Sequence, residues 1–235
     1  MSLPPQNSTT PLQADYVLVG GGLQNGLIAL ALRRQRPDAS IVLIERDTKL
    51  GGNHTWCFHD SDVPEGAAGW VWPLVTHAWP GYAVHFEQFE RQLAIPYRAV
   101  TAERFDAVVS DAVAGGPGAL LTGTTAGAVG AHEVRLADGS VVTGRLVIDA
   151  RGARPESGQG RCGWQKFVGL EVETTGPHGL ERPLLMDARL PQDDGFRFMY
   201  VLPFGPTRLL IEDPRFTDDA RLELPATRTA VMQYA

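Results

Sequence analysis

The feature that most constrains this chain lies near its start. Asp15-Tyr-Val-Leu-Val19 is a short apolar run, Gly20-Gly21-Gly22 follows it directly, and Gly26-Leu-Ile-Ala-Leu-Ala-Leu-Arg-Arg34 continues in a helical pattern. Ile41-Val-Leu-Ile-Glu45 is a second apolar run. Strand, glycine turn, helix and strand within about 30 residues make a βαβ unit, whose two strands lie parallel because the helix carries the chain back to the starting edge.

The glycines have a mechanical meaning. Gly20 permits the tight turn, and Gly22 lets backbone N–H groups approach a pyrophosphate at the helix N-terminus. The third glycine of G-x-G-x-x-G belongs at position 25, which is Asn25, and Gly26 comes one place late. Glu45 ends the second strand, where a carboxylate accepts from ribose hydroxyls. Gly51-Gly52 then completes an E-x5-G-G pattern, and Leu146-Val-Ile-Asp149-Ala-Arg-Gly152 supplies a late strand ending in D-A-x-G. Together these predict FAD rather than NAD. The expected fold is α/β, a Rossmann-like FAD-binding domain of the glutathione-reductase and hydroxylase type with a β-sheet substrate domain. Gly20, Gly22, Gly26, Glu45, Gly51, Gly52, Asp149 and Gly152 are the expected cofactor-binding residues, with Arg151 and Arg154 as further candidates to meet the phosphates.

From Asp60 to Pro80 the periodicity fails, and Trp70, Trp72 and Trp79 stand among Gly and Pro; loops or short irregular strands are expected. Thr101 reads as the N-cap of a helix carrying Phe105, Val108, Val109 and Val113. His132–Leu136 and Ser140–Thr143 flank Ala137-Asp138-Gly139, a hairpin signal. The last third is strand-rich, with Phe196, Phe198, Tyr200, Leu202 and Phe204 on one face of a single strand, and a helical pattern begins at Ala220. These signals predict a flexible arm over 1–14, an FAD-binding domain over 15–60 and 100–163, and a substrate domain over 61–99 and 164–219. Residues 220–235 would then lead into a C-terminal part that the sequence does not reach.

Composition narrows the partners. Twenty-one Lys+Arg against 27 Asp+Glu leave a formal charge of −6, which argues against nucleic acid, since phosphate backbones need a basic face. Two cysteines, Cys57 and Cys162, build no disulfide framework, so a reducing compartment is expected. No apolar run is long enough for a transmembrane helix. His54, Cys57 and His59 crowd into six residues with no evident fourth ligand, so no metal is expected.

Three segments carry a narrower resemblance: Gly51-Gly-Asn-His-Thr-Trp-Cys-Phe-His59, Trp164-Gln-Lys-Phe-Val-Gly-Leu-Glu171, and Phe196-Arg-Phe-Met-Tyr-Val-Leu-Pro-Phe204 with Arg208-Leu-Leu-Ile-Glu-Asp213. From about Asp15 onward the chain resembles the bacterial lycopene β-cyclase family. The resemblance implies bound FAD, used in its reduced form with NADPH as reductant. It also implies redox-neutral cyclisation of the ψ-ends of lycopene to β-ionone rings, giving γ- and then β-carotene. A carotenoid substrate further implies a cytoplasmic protein held peripherally on the inner membrane. Two departures stand out. The family's IEDT is Ile211-Glu212-Asp213-Pro214 here, and family members continue into a Gly-Asp segment that closes over the flavin, so the chain reads as a C-terminally truncated member. A flavin-dependent oxidoreductase (hydroxylase or isoprenoid reductase) and an inactive cyclase fragment remain as alternatives.

Cyclisation begins with a proton delivered to an unactivated alkene, so the site must hold a protonated acid near neutral pH. A carboxyl in an apolar setting meets that need, because burial disfavours its charged form. Glu212 and Asp213 are the catalytic candidates. Alternation along the strand turns them to opposite faces, with Glu212 into the pocket and Asp213 toward a turn. Phe196, Phe198, Tyr200, Phe204, His54 and Trp56 are the candidate substrate-contacting residues, since aromatic faces attract cations without offering a strong nucleophile.

Overall fold

The computed structural model describes residues 12–152, 163–192 and 195–235. Most of the expected arm, together with Arg154 and Cys162, lies outside them. Leu12–Ala14, expected in that arm, already pair with Val142–Gly144 in the first strand. The chain divides into two compact units.

The first unit takes the described residues of Met1–Trp56, Val63–Thr76 and Ala99–Arg154. Its sheet has six strands in the order Gly118–Leu121, Ile41–Ile44, Leu12–Val19, Val141–Asp149, Glu133–Leu136, Ala126–Val129. The first four are parallel and the last two return antiparallel. Ile41–Ile44 is buried at every position, which is why it reads as an unbroken apolar run rather than an alternating one. Val17, Val19, Val42, Ile44, Val134 and Val142 form the core of one face. The crossover helix spans Leu23–Gln35. A second helix, Ala102–Ala114, is capped as expected, the Thr101 hydroxyl accepting from the Arg104 N–H. Phe105, Val109 and Val113 form its buried stripe, four residues apart as a helix face requires.

Within 60–80 the structure differs from the expectation of loops or irregular strands. Short helical turns occupy Asp60–Asp62, Glu65–Ala67, Ala68–Val71 and Trp72–Leu74, and His77–Trp79 is a strand. Turns this short present no full helical period for a sequence pattern to reveal.

The second unit takes the described residues of Cys57–Asp62, His77–Arg98 and Pro155–Ala235. Its main sheet runs Gly169–Glu173, Arg208–Glu212, Met199–Pro203, Leu184–Asp187, Tyr82–Phe86, Phe89–Leu93. One face, with Met199, Val201, Leu209 and Ile211, packs on Val231 of the helix Leu224–Tyr234. Alternation sends Tyr200, Leu202, Leu210 and Glu212 to the other face. The expected single strand over 196–204 is broken. Phe196–Arg197 joins a small sheet with Trp164–Lys166 and Arg215–Thr217, and Met199–Pro203 joins the main one. The Phe198 N–H between them turns aside to the Pro214 carbonyl at 3.3 Å.

Candidate functional site: a nucleotide cleft and an acid cluster

In the first unit, the strand ends and the glycine turn enclose a cleft of about 410 Å³ lined by Gly20, Gly21, Gly22, Glu45, Gly51, Gly52, His54 and Arg151, among others. The three turn glycines do different work. Gly20 sits at φ +97°, where a side chain is strained. A Cβ on Gly21 would meet Leu50 at 2.4 Å, whereas one on Gly22 would meet nothing within 4 Å. Gly22 therefore faces the open cleft at the helix N-terminus, as a residue that lets a phosphate approach must. Glu45 accepts from the Gly21 N–H at 2.6 Å and from the Asp47 N–H at 2.9 Å, fixing the turn against the second strand. Gly51 and Gly52 both adopt positive φ, which glycine reaches without strain.

Asn25 explains the misplaced third glycine. It is fully buried, and its Nδ2 donates to the carbonyls of Val19 at 3.0 Å and Gly20 at 2.9 Å, tying helix to strand. The close helix packing falls one position later: a Cβ on Gly26 would lie 2.1 Å from the Phe105 ring. No spacing rule revealed Asn25, because its contribution is a hydrogen bond rather than an absent side chain. Its Oδ1 is buried and unpartnered among the described residues. Asp149 and Gly152 follow at the late strand's end, but Arg151 is engaged by Asp149 at 2.7 and 2.8 Å and by the Ala126 carbonyl at 3.0 Å. Its side chain is thus held by its neighbours and does not stand free in the cleft. His54 stacks on Trp56 with ring centroids 5.4 Å apart, and Trp56 packs on Phe105 at 4.9 Å.

The second cluster lies wholly in the second unit. Glu212 is half-buried at the end of its strand, directly across from Tyr200 on one side and Gly169 on the other. Burial pushes its carboxyl up to about 7. Gly169 leaves room for it, since a Cβ there would lie 3.1 Å from Glu212 Cγ and 3.3 Å from Oε1. The Tyr200 hydroxyl meets that of Tyr97 at 3.1 Å, and the Cys57 thiol lies against both. Burial pushes the thiol up to about 11 and raises both phenols as well, so all three are neutral near pH 7. Nothing in the local pattern marks Tyr97, and Cys57 stands out only for its crowding with His54 and His59; both meet Tyr200 through packing between strands of different sheets.

Asp213 does not face an open turn. It is fully buried, with Arg197 bound to both its oxygens at 2.7 and 2.9 Å and Arg215 at 2.8 Å. The aromatic stripe is likewise divided. Phe196 and Phe198 pack with Phe216, Tyr200 joins Tyr97, and Phe204 stacks on His77 at 4.4 Å. The break at Phe198 is the cause, since a single face needs an unbroken strand. His59 packs against Tyr82 and Tyr97, and Trp79 is buried beside Tyr97. Among the described residues no group of His, Cys, Asp and Glu is arranged to hold a metal ion, and no helix is long and apolar enough to cross a membrane.

Solved structures place the fold. The chain superposes on PqsL, a probable FAD-dependent monooxygenase from Pseudomonas aeruginosa, with a TM-score of 0.63 and 18% identity, covering 86% of this chain and 60% of that one. It superposes on a geranylgeranyl bacteriochlorophyll reductase-like protein from Thermoplasma acidophilum at 0.68 and 12% identity, covering 95% and 61%. The expected Rossmann-type α/β fold of flavoproteins is thus the observed one. In sequence, the lycopene β-cyclase of Pantoea ananas is 44% identical over 221 residues, and that of Paracoccus sp. (strain N81106 / MBIC 01143) is 40% identical over the same length. Each alignment takes in 94% of this chain, which spans only 57% and 56% of those relatives. The family model described as lycopene cyclase protein matches residues 15–235. With nearly every described element inside that match, the chain belongs to the lycopene cyclase family.

Proposed function

We propose that this chain carries the nucleotide-binding and acid-bearing parts of a lycopene β-cyclase. The observation that carries the reading is Glu212, a half-buried carboxyl raised to about 7, within the segment shared with relatives named lycopene β-cyclase. Such a group can still carry its proton near neutral pH, as a proton donor must.

The Glu212 carboxyl gives its proton to the terminal double bond of a ψ-end. The tertiary cation so formed is attacked by the neighbouring double bond, closing the ring. A ring proton is then lost to the glutamate, now a carboxylate, restoring the acid. One proton enters and one leaves, so a single carboxyl suffices. Neutral Tyr97, Tyr200 and Cys57 keep competing charge away from it.

FAD is the cofactor this reading requires. Gly22, open toward the cleft, and the backbone N–H groups after it would hold the pyrophosphate; Glu45 would take the adenosine ribose. Reduced FAD, held there, would supply an electron-rich ring system. NADPH as the reductant, and cytoplasmic residence with peripheral attachment to the inner membrane, follow from the family reading. The exposed aromatic rings of Trp164, Phe196 and Phe216 support such an attachment.

The test is expression in a lycopene-accumulating bacterium with pigment chromatography. Ring formation is expected for a protein carrying this sequence at the full length of its relatives, and its loss is expected for Glu212→Gln with flavin content unchanged. Normal β-carotene from that variant removes Glu212 as the acid. NADPH consumed one-for-one with product would point instead to a hydroxylase or reductase.

A further inference from the structure

The sequence offers Asp213 beside Glu212 as a second catalytic carboxylate, yet its surroundings suit a different task. Arg197 and Arg215 stand directly opposite one another on paired strands of the small sheet. Two like charges so placed repel, and Asp213 is inserted between them. Arg197 grips it with two parallel hydrogen bonds at 2.7 and 2.9 Å, and Arg215 adds 2.8 Å to Oδ2. The Asp213 N–H is fixed as well, donating to the Val168 carbonyl at 3.1 Å. Arg197 is anchored in turn, its N–H donating to Gln192 Oε1 at 2.9 Å and its carbonyl accepting from Gln192 Nε2 at 2.8 Å. The residue bonded to Glu212 is thus immobilised through both its backbone and its side chain.

We propose that Asp213, Arg197 and Arg215 form a clamp that positions Glu212 and sets the field in which its carboxyl gains and loses a proton. This rests on Glu212 being the acid. Asp213 has no free oxygen and no exposure, so it reaches no substrate; it is a positioning residue. One carboxylate between two guanidiniums leaves the clamp with a single net positive charge. The other groups around Glu212 compensate or are neutral. Cys57, Tyr97 and Tyr200 face it uncharged. On its own sheet face, two positions along, Glu171 is paired with Arg208. His77, stacked beneath Phe204, is pushed down by burial and by Arg208 and so is neutral near pH 7. With these groups neutral or paired, a charge removed from the clamp is left uncompensated next to Glu212, whose raised carboxyl reflects burial, and the effect has a predictable sign.

The test reads Glu212 directly, through the infrared carbonyl band of its protonated carboxyl, assigned by its disappearance in Glu212→Gln. In the full-length protein the band is expected to titrate near pH 7. Asp213→Asn removes a negative charge, favours the carboxylate form, and moves the midpoint down by about one pH unit, the size of a Coulomb interaction across several ångströms at the effective dielectric near a protein surface. Arg215→Gln removes a positive charge and moves the midpoint up. Opposite shifts are the signature, because a merely loosened strand end moves both variants the same way. The alkaline limb of the cyclisation pH profile should follow each midpoint. Midpoints that stay put, or move together, overturn the proposal. Activity absent at every pH in Asp213→Asn but retained in Glu212→Gln overturns it too, and makes Asp213 the acid. If the wild-type protein forms no ring while the infrared shifts appear as stated, the clamp stands and the cyclase reading falls.

Discussion

Glu212→Gln has a consequence for stability that needs no substrate. The side chain is nearly isosteric, but glutamine stays neutral at every pH. Folding raises the glutamate from 4.5 to about 7 through burial, so the folded chain binds the proton more tightly than the unfolded one. Below pH 4.5 both states are protonated and wild type and variant should be equally stable. As pH rises from there the unfolded glutamate ionises first, and wild type loses stability at about 1.4 kcal/mol per pH unit. The loss ends near pH 7, where the folded group ionises too. Over about 2.5 pH units it reaches at most about 3.5 kcal/mol, an upper figure because partial exposure lets water relieve some of it. Urea unfolding followed by tryptophan fluorescence measures it: the variant's midpoint should match wild type about one unit below pH 4.5 and exceed it by on the order of 1 M at pH 8. A midpoint difference that does not change with pH refutes the reasoning, since it means the carboxyl is as well solvated folded as unfolded.

Other perturbations address the first unit. Gly22→Val fills the open side of the turn and should leave the purified protein without yellow flavin while its fold, read by circular dichroism, persists; full flavin content contradicts the assigned loop. Gly26→Ala drives a methyl into the Phe105 ring and should lower stability by about 1–3 kcal/mol in chemical denaturation, whereas an unchanged midpoint means the two helices part easily. Asn25→Ala abandons the Val19 and Gly20 carbonyls and should cost about 1–3 kcal/mol, with faster hydrogen exchange at the end of the first strand as the local readout.

Much of the nucleotide unit was legible in the sequence because its signals are local. A buried parallel strand reads as an apolar run, a turn that needs φ +97° at Gly20 takes glycine, and Thr101 announces the helix it caps. Glu212 was legible only as one of two adjacent carboxylates. What separates them is partly local, since Arg215 lies two residues from Asp213, and partly distant, since Tyr97 and Cys57 reach Tyr200 from strands far away in sequence. The same holds for the aromatic stripe: its alternation is real in the sequence, but the Phe198 N–H bonds to Pro214 and sends the halves to different sheets. Period alone carries no mark of a hydrogen bond made elsewhere.

The bond from the Gly21 N–H to Glu45 ties the glycine turn to the protein's own carboxylate. A loop rigid in advance surrenders little motional freedom on capture. Glu45→Ala, which removes this link together with the Asp47 bond and the proposed ribose contact, should therefore slow capture as well as hasten escape, whereas loss of the ribose contact alone hastens escape only.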